Sequence, residues 1–182
     1  MLVRVGALYH DIGKMKNPTY FTENQMTGTN AHDELSPKES AKIIINHVID
    51  GVELAKKNNL PDRVIDFIRT HHGTSTVYYF YNKQVELNLD FETTDFSYNG
   101  PKPFNKETAI LMMCDSVEAA SKSLKDPNST KINNFVDAII SKQMDTDQFL
   151  NADITLKEIQ SIKKVLKQKL ANMYHLRIEY PD

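Results

Sequence analysis

Apolar residues recur at helical spacing along most of the 182-residue chain, and this pattern predicts helices almost throughout. The clearest start is the capping box "SPKE" at Ser36–Glu39, which places a proline at the first helical position. His47 lies in or beside the buried face of this predicted helix. The face is formed by the apolar residues Ala41, Ile44, Ile45, Val48 and Val52.

Helices are also predicted on either side of this segment. The apolar run from Leu2 to Lys14 is typical of the end of a helix, with Gly13 as its expected stop. A further helix is expected to open at Pro61 and to stop at Gly73. The following "VYYFYN" fits a short strand or a helix, and we favour the helix.

The second half of the chain continues the helical pattern. Asn105 caps "KETAILMMCDSVEAASKSL", which is apolar around most of its circumference and is therefore expected to be central. A short helix is predicted from Asn134 to Met144, and a last one after the capping box at Thr155–Glu158. Asn17–Leu35 and Asn82–Phe104 are predicted to be irregular. The last helix should face the body of the protein with Leu156, Ile159, Ile162, Leu166, Leu170 and Met173.

Composition narrows the class of protein. A hydrophobic content of 40% with 25% charged residues is typical of a soluble globular chain, and the length allows one sizeable core. The single cysteine, Cys114, excludes an internal disulfide framework. A net charge of −2 lacks the basic surplus of a nucleic-acid-coating protein, so no nucleic-acid partner is expected. We predict one all-α domain over residues 1–182.

Four features on separate predicted helices could carry chemistry: His10–Asp11, His47, His71–His72 and Asp115. Each has an ordinary explanation. A lone histidine is usually a hydrogen-bonded core residue, and a histidine pair at a helix end can interact with the helix dipole. A buried carboxylate, however, is costly unless a cation or several donors meet it. All the ordinary explanations would have to hold at once, whereas a metal centre explains the four features together.

The residue types indicate which metals and which reaction. Imidazole and carboxylate ligands without thiolate suit manganese, iron, zinc or nickel. Three histidines and one aspartate complete one site, and the remaining groups indicate a second ion nearby. Two divalent ions close together can clamp a phosphoryl group and activate water. The pattern therefore predicts hydrolysis of a phosphate ester.

The order H–D, H, H–H, D on successive helices resembles the HD-domain superfamily of metal-dependent phosphohydrolases, and "HDIGK" is similar to its HDIG type. Over nearly the whole chain, the sequence resembles the cytoplasmic domain of the seven-transmembrane HD (PgpH-like) family of bacterial membrane proteins. That resemblance implies an all-α HD-domain helical bundle that hydrolyses cyclic di-AMP to pApA. The motifs are "YHDIGKMKNPTYFTENQ", "HDELSPKESAKIIINHVIDGVELAKKNNLP", "HHGTS", "GPKPFNKETAILMMCDSVEAA" and "RIEYP".

The resemblance also implies roles for the candidate residues. Asp11 would be catalytic and bridge two divalent transition-metal ions, with manganese or iron favoured and nickel or zinc left open. One ion would be completed by His47, His71 and His72. The other would be held by His10 and Asp115.

The family pattern has one more histidine ligand, on a helix that precedes the His10–Asp11 pair. We therefore expect this chain to be truncated at its N-terminus, without the first family helix and without the transmembrane region. Membrane contact is expected only through that missing region, with the parent protein in the bacterial inner membrane and this domain in the cytoplasm. The activity of the fragment itself and its assembly into oligomers are left open.

Five residues are candidates for contact with the substrate. Lys14 lies one helical turn from His10, where its ammonium could pair with a phosphate oxygen or remain solvated. Thr74 and Ser75 offer hydroxyl donors or simply form a turn. The ring of Tyr78 could stack on adenine or belong to the core. Asn24 could reach a base or a phosphate.

Two other functions are compatible with the same residues. One is an HD phosphohydrolase that acts on another nucleotide. The HD type that hydrolyses cyclic di-GMP would show "GYP", which does not follow "HHG" here. The other is a non-catalytic nucleotide-sensing module of a membrane receptor, against which the six retained ligand-type residues argue.

Overall fold

A computed structural model describes residues 1–21, 30–87 and 90–175, and these residues form an all-α fold with seven α-helices and no strand. None of the helices within these ranges is long and apolar enough to cross a membrane. Asn24 and the motif "RIEYP" fall outside the described residues. The chain divides into two compact units, Met1–Lys102 and Pro103–Asp182.

Helix α2 (Pro37–Lys57) is the centre of the first unit, because α3 (Asp62–Thr70), α4 (Tyr78–Glu86) and two of the 3₁₀ helices all pack against it, while α1 (Leu2–Tyr9) packs on α3. The sequence explains where α2 begins. The backbone N–H of Glu39 donates to the Ser36 hydroxyl at 3.3 Å, and the backbone N–H of Ser36 donates to the Glu39 carboxylate at 2.9 Å, which confirms the capping box. The elements are α1 (Leu2–Tyr9), 3₁₀ helices at Ile12–Lys16 and Pro18–Tyr20, α2 (Pro37–Lys57), α3 (Asp62–Thr70), α4 (Tyr78–Glu86) and a 3₁₀ helix at Thr93–Phe96.

The first helix is shorter than predicted. Helix α1 ends at Tyr9, and the predicted continuation to Lys14 is wrong, because Ile12–Lys16 forms a separate 3₁₀ helix. Gly13 lies inside that 3₁₀ helix and is not a stop. A Cβ on Gly13 would lie 2.5 Å from the backbone nitrogen of Gly51 and closer still to the carbonyl oxygen of His47. Glycine is needed here because two backbones touch.

The region after α3 is built around a tight turn. Gly73 has a φ of 52°, so the predicted glycine stop is confirmed, although α3 itself ends at Thr70. The preferred helix in "VYYFYN" is confirmed as α4, and it runs on to Glu86, so the irregular segment does not begin at Asn82. An isolated antiparallel bridge then pairs Thr76 with Ser97.

The second unit consists of α5 (Lys106–Ser121), α6 (Ser129–Asp145) and α7 (Leu156–His175). The predicted Asn105 cap of α5 is confirmed, since its side chain accepts from the backbone N–H of Thr108 at 2.9 Å. Helix α6 begins earlier than predicted, because Asn128 caps it in the same way. These three helices share one core.

The predicted stripe of α7 is only partly buried. Ile159 and Leu170 are core residues, and Ile162 and Leu166 pack against them. Leu156 and Met173, however, are 69% and 42% exposed, so their prediction as core-facing is wrong. Both lie at the ends of the helix, beyond the turns whose side chains enter the shared core.

Candidate metal centre

The predicted His10–Asp11 pair lies in the turn between α1 and the 3₁₀ helix. Nδ1 of His10 is 3.0 Å from the carbonyl oxygen of Ala7, and its Nε2 is 3.1 Å from Oδ2 of Asp11. Because a carbonyl oxygen can only accept, Nδ1 carries the proton and Nε2 is turned toward the carboxylate. The carbonyl oxygen of Ala7, in the last turn of α1, therefore orients the ring of His10.

His47 and His71 are held in the same way by their own helices. Nδ1 of His47 contacts the carbonyl oxygen of Ile44, and Nδ1 of His71 lies 2.8 Å from that of Ile68. Both rings are buried, with 2% and 0% of their surface exposed. Their Nε2 atoms lie 3.1 Å apart, and 3.3 Å and 3.6 Å from Oδ1 of Asp11. Two helices thus bring two imidazole nitrogens to one carboxylate oxygen.

His72 completes this group from the turn that follows α3. Its ring is half-buried and stacks on Tyr98, with centroids 4.2 Å apart and 24° between the planes. Burial lowers the pKa of His72 well below its ordinary value, and the neighbouring His71 and His47 lower it further. The ring is therefore neutral at neutral pH, which is the form that binds a metal.

These four side chains fit a transition-metal ion. One ligand atom from each of Asp11, His47, His71 and His72 lies within 4.8 Å of all the others. With their Nδ1 protons donated to carbonyl oxygens, the Nε2 atoms of His47 and His71 are both acceptors. Two acceptors and a carboxylate that face one another can hold a cation between them, and three imidazoles with one carboxylate suit a divalent transition metal.

The second oxygen of Asp11 faces different groups. Oδ2 lies 3.1 Å from Nε2 of His10 and 2.8 Å from Nζ of Lys14. The Lys14 ammonium beside Oδ2 favours the ionised form of this carboxylate. The carboxylate is therefore ionised and divides its two oxygens between two sets of side chains.

The remaining predicted site residues are placed as follows. Asp115 lies on α5 of the second unit, where it is half-buried. Lys14 is half-buried, with its ammonium 5.2 Å from the centre of the Phe21 ring. Asp115 as a metal ligand with His10, and Lys14 as a catalytic or substrate contact, stay predictions.

The other substrate candidates flank the turn that carries His72. Thr74 is exposed, and the Ser75 hydroxyl donates to the carbonyl oxygen of His72 at 2.7 Å. Tyr78, at the start of α4, is 46% exposed. Their contacts with a substrate stay predictions.

Three residues around the site were missed by sequence reasoning. Phe21 packs edge-on against His47 at 5.6 Å, and Tyr98 stacks on His72. Gly51 allows the 3₁₀ helix to approach α2. Of the three, only Gly51 had a sequence signal, because it lies one helical turn after His47 on the same face of α2.

The comparison with protein families decides which family this fold represents. The model of the family described as "HD domain" matches residues 1–120, a range that contains all six predicted metal ligands. The chain belongs to the HD domain family. The predicted recognition is confirmed, and so is the all-α class.

Relatives of this HD domain include named enzymes. The chain is 47% identical to the cyclic-di-AMP phosphodiesterase PgpH of Listeria monocytogenes and 45% identical to that of Bacillus subtilis, in both cases over all of its own length. It spans only about a quarter of the length of these curated relatives, 25% and 26%.

A solved structure shows the same fold. The crystal structure of the L. monocytogenes phosphodiesterase PgpH HD domain in complex with cyclic di-AMP matches with a TM-score of 0.91 and 46% identity. The match covers 95% of this HD domain and 81% of that chain.

Proposed function

We propose that this HD domain is the catalytic domain of a metal-dependent phosphodiesterase that hydrolyses cyclic di-AMP to pApA. The observation that carries the proposal is the division of the Asp11 carboxylate, whose Oδ1 faces His47 and His71 and whose Oδ2 faces His10 and Lys14. A carboxylate shared in this way is suited to bridge two ions. The relatives named as cyclic-di-AMP phosphodiesterases support the choice of substrate.

Two divalent ions are proposed, with manganese or iron favoured and nickel or zinc as alternatives. Asp11, His47, His71 and His72 would hold one ion, and Asp11, His10 and Asp115 would contribute to the other. When bound, such a pair neutralises phosphate oxygens and activates a water molecule for in-line attack.

The side chains of this chain contribute orientation and charge. Hydrogen bonds to helix carbonyls keep His10, His47 and His71 in one tautomer, so that their Nε2 lone pairs face Asp11. The Lys14 ammonium lies beside the same carboxylate and is proposed to move to a phosphate oxygen of the substrate. Thr74, Ser75 and Tyr78 are proposed to contact the rest of the nucleotide.

The curated relatives are about four times longer than this chain. We propose that this HD domain belongs to a longer bacterial membrane protein and lies in the cytoplasm. No nucleic-acid partner is proposed, and oligomerisation stays a prediction.

The experiment is a turnover assay with its own binding control. The purified protein is reconstituted with manganese, incubated with cyclic di-AMP or cyclic di-GMP, and the products are separated by chromatography. We expect pApA from cyclic di-AMP, at a higher rate than any product from cyclic di-GMP, and no product after chelation. Binding of cyclic di-AMP without turnover, in the metal-loaded protein, would contradict the proposal and favour a nucleotide-sensing module.

A further inference from the structure

Tyr98 lies outside the proposed ligand set but contacts it directly. Its ring is 9% exposed and stacks on His72 with centroids 4.2 Å apart and 24° between the planes. It also meets the edge of His47 at 6.2 Å and 87°. Tyr98 therefore covers one face of one proposed metal ligand and touches a second.

The backbone around Tyr98 is tied to the turn that carries His72. The backbone N–H of Tyr98 donates to the carbonyl oxygen of Ser75 at 2.9 Å, and the neighbouring Ser97 pairs with Thr76 in the isolated bridge. Ser75 in turn donates to the carbonyl oxygen of His72, through its backbone N–H at 3.0 Å and its hydroxyl at 2.7 Å. The position of the Tyr98 ring is thereby fixed relative to the backbone of His72.

Contacts that orient the ring are present at three of the proposed ligands. His47 and His71 are oriented by carbonyl oxygens three residues earlier in their own helices. His72 lies in the turn after α3, and its ring lies flat against Tyr98. An aromatic ring stacked on imidazole limits rotation about the side-chain torsions, as a hydrogen bond to the ring does for other metal ligands.

We propose that Tyr98 is a positioning residue that orients His72 toward the metal ion by ring stacking, without contact with the substrate. This inference rests on the metal centre of the proposed function. Loss of the Tyr98 ring removes the stack from one face of His72 and leaves its imidazole more rotamers, so ordering this imidazole for the ion costs more free energy. The affinity for the ion is expected to fall by about 10-fold, the lower end of the range for residues that orient a metal ligand.

The test is a manganese titration of the wild type, Tyr98→Leu and Tyr98→Phe, in which free manganese is measured by electron paramagnetic resonance. Tyr98→Phe keeps the ring and is expected to match the wild type. Tyr98→Leu is expected to weaken binding by about 10-fold. Equal affinity of Tyr98→Leu and the wild type would overturn the proposal. A Tyr98→Phe variant as weak as Tyr98→Leu would also overturn it, because the hydroxyl and not the stack would then matter.

A matched control separates positioning from general loss of packing. Phe96 is fully buried two residues earlier, and its ring contacts Tyr81 and Phe91 rather than a proposed ligand. Phe96→Leu should lower the melting temperature while leaving the manganese affinity unchanged. If Phe96→Leu weakens manganese binding as much as Tyr98→Leu does, the effect is structural and the proposal fails.

Three further outcomes are also decisive. If Tyr98→Leu does not fold, Tyr98→Met fills more of the space and takes its place, and failure of both to fold would show a structural role instead. A wild type that binds manganese but does not hydrolyse cyclic di-AMP would contradict the proposed function alone, because the titration needs no turnover. A wild type that binds no manganese would overturn both.

Discussion

Oδ1 of Asp11 lies 3.3 Å from Nε2 of His47, which joins the turn after α1 to the buried face of α2. The contact is possible because Gly13 and Gly51 have no side chains, so the backbones of the 3₁₀ helix and of α2 can touch next to it. The close packing of two glycines and the convergence of ligands on Asp11 are therefore parts of one arrangement.

His72→Ala should remove much of the metal binding, because it deletes one of four side chains around the proposed ion. We expect the affinity to fall by more than about 10-fold, because a loss of that size already follows when a residue that only orients a ligand is changed. Metal content after reconstitution and dialysis measures this directly. His32→Ala is the matched control, since His32 is a buried histidine bonded to the Tyr20 carbonyl and lies outside the group. Equal metal content in His72→Ala and the control would contradict the assignment.

Cyclic di-AMP should bind through the metal and nearby donors, because a net charge of −2 gives no attraction for a dianionic ligand. Calorimetry of the manganese-loaded protein should therefore show binding that collapses on addition of a chelator. Restoring manganese in excess of the chelator should restore the binding. An affinity that is unchanged by chelation would place the nucleotide in a pocket away from the proposed ions.

The parts of this fold that depend on residues close together in the sequence were predictable from it. The capping boxes that start α2 and α7 consist of side chains three residues apart, so their hydrogen bonds can be read directly from the chain. The clustering of Asp11 with His47 was inferred because ordinary explanations for each residue could not all hold together.

The parts that depend on contacts between distant segments were not predictable. The early end of α1 is set by the approach of Gly13 to α2, and a helical pattern alone does not show that approach. The stacking of Tyr98 on His72 needs an isolated bridge between Thr76 and Ser97, for which the sequence has no periodic signal.

Gly13→Ala should destabilise the first unit, because its Cβ would overlap backbone atoms of His47 and Gly51, which cannot rotate away. Overpacking typically lowers the free energy of unfolding by about 1–3 kcal/mol, and a clash with backbone atoms should lower it by about 3 kcal/mol or more. Urea denaturation measures the change in the free energy of unfolding. Met15→Ala in the same 3₁₀ helix is the control, since Met15 is 72% exposed and should be nearly neutral. A Gly13→Ala variant as stable as this control would show that the backbones are farther apart.

Glu158→Gln should make the second unit less sensitive to acid. A hydrogen bond from Lys106, 2.6 Å away, and further ones from Thr155 lower the pKa of Glu158 from 4.5 to about 2. A carboxylate with a lowered pKa in the folded state stabilises the fold fully above pH 4.5, and this contribution is lost as the pH falls toward 2. Wild-type stability should therefore fall more steeply across that window than that of Glu158→Gln, which retains the capping geometry. If the free energies of unfolding of the wild type and of Glu158→Gln, measured by urea denaturation, change equally with pH, the ion pair between Lys106 and Glu158 is contradicted.

The measurement that tests the central claim most directly is hydrolysis of cyclic di-AMP by Asp11→Ala beside the wild type, both reconstituted with manganese. Asp50→Ala serves as the matched control, because Asp50 is a carboxylate of the same unit that pairs with Lys16. Since Asp11 alone is proposed to touch both ions, Asp11→Ala should form no pApA even with metal in excess, while Asp50→Ala should retain the wild-type rate. Formation of pApA by metal-saturated Asp11→Ala at the wild-type rate would contradict the account.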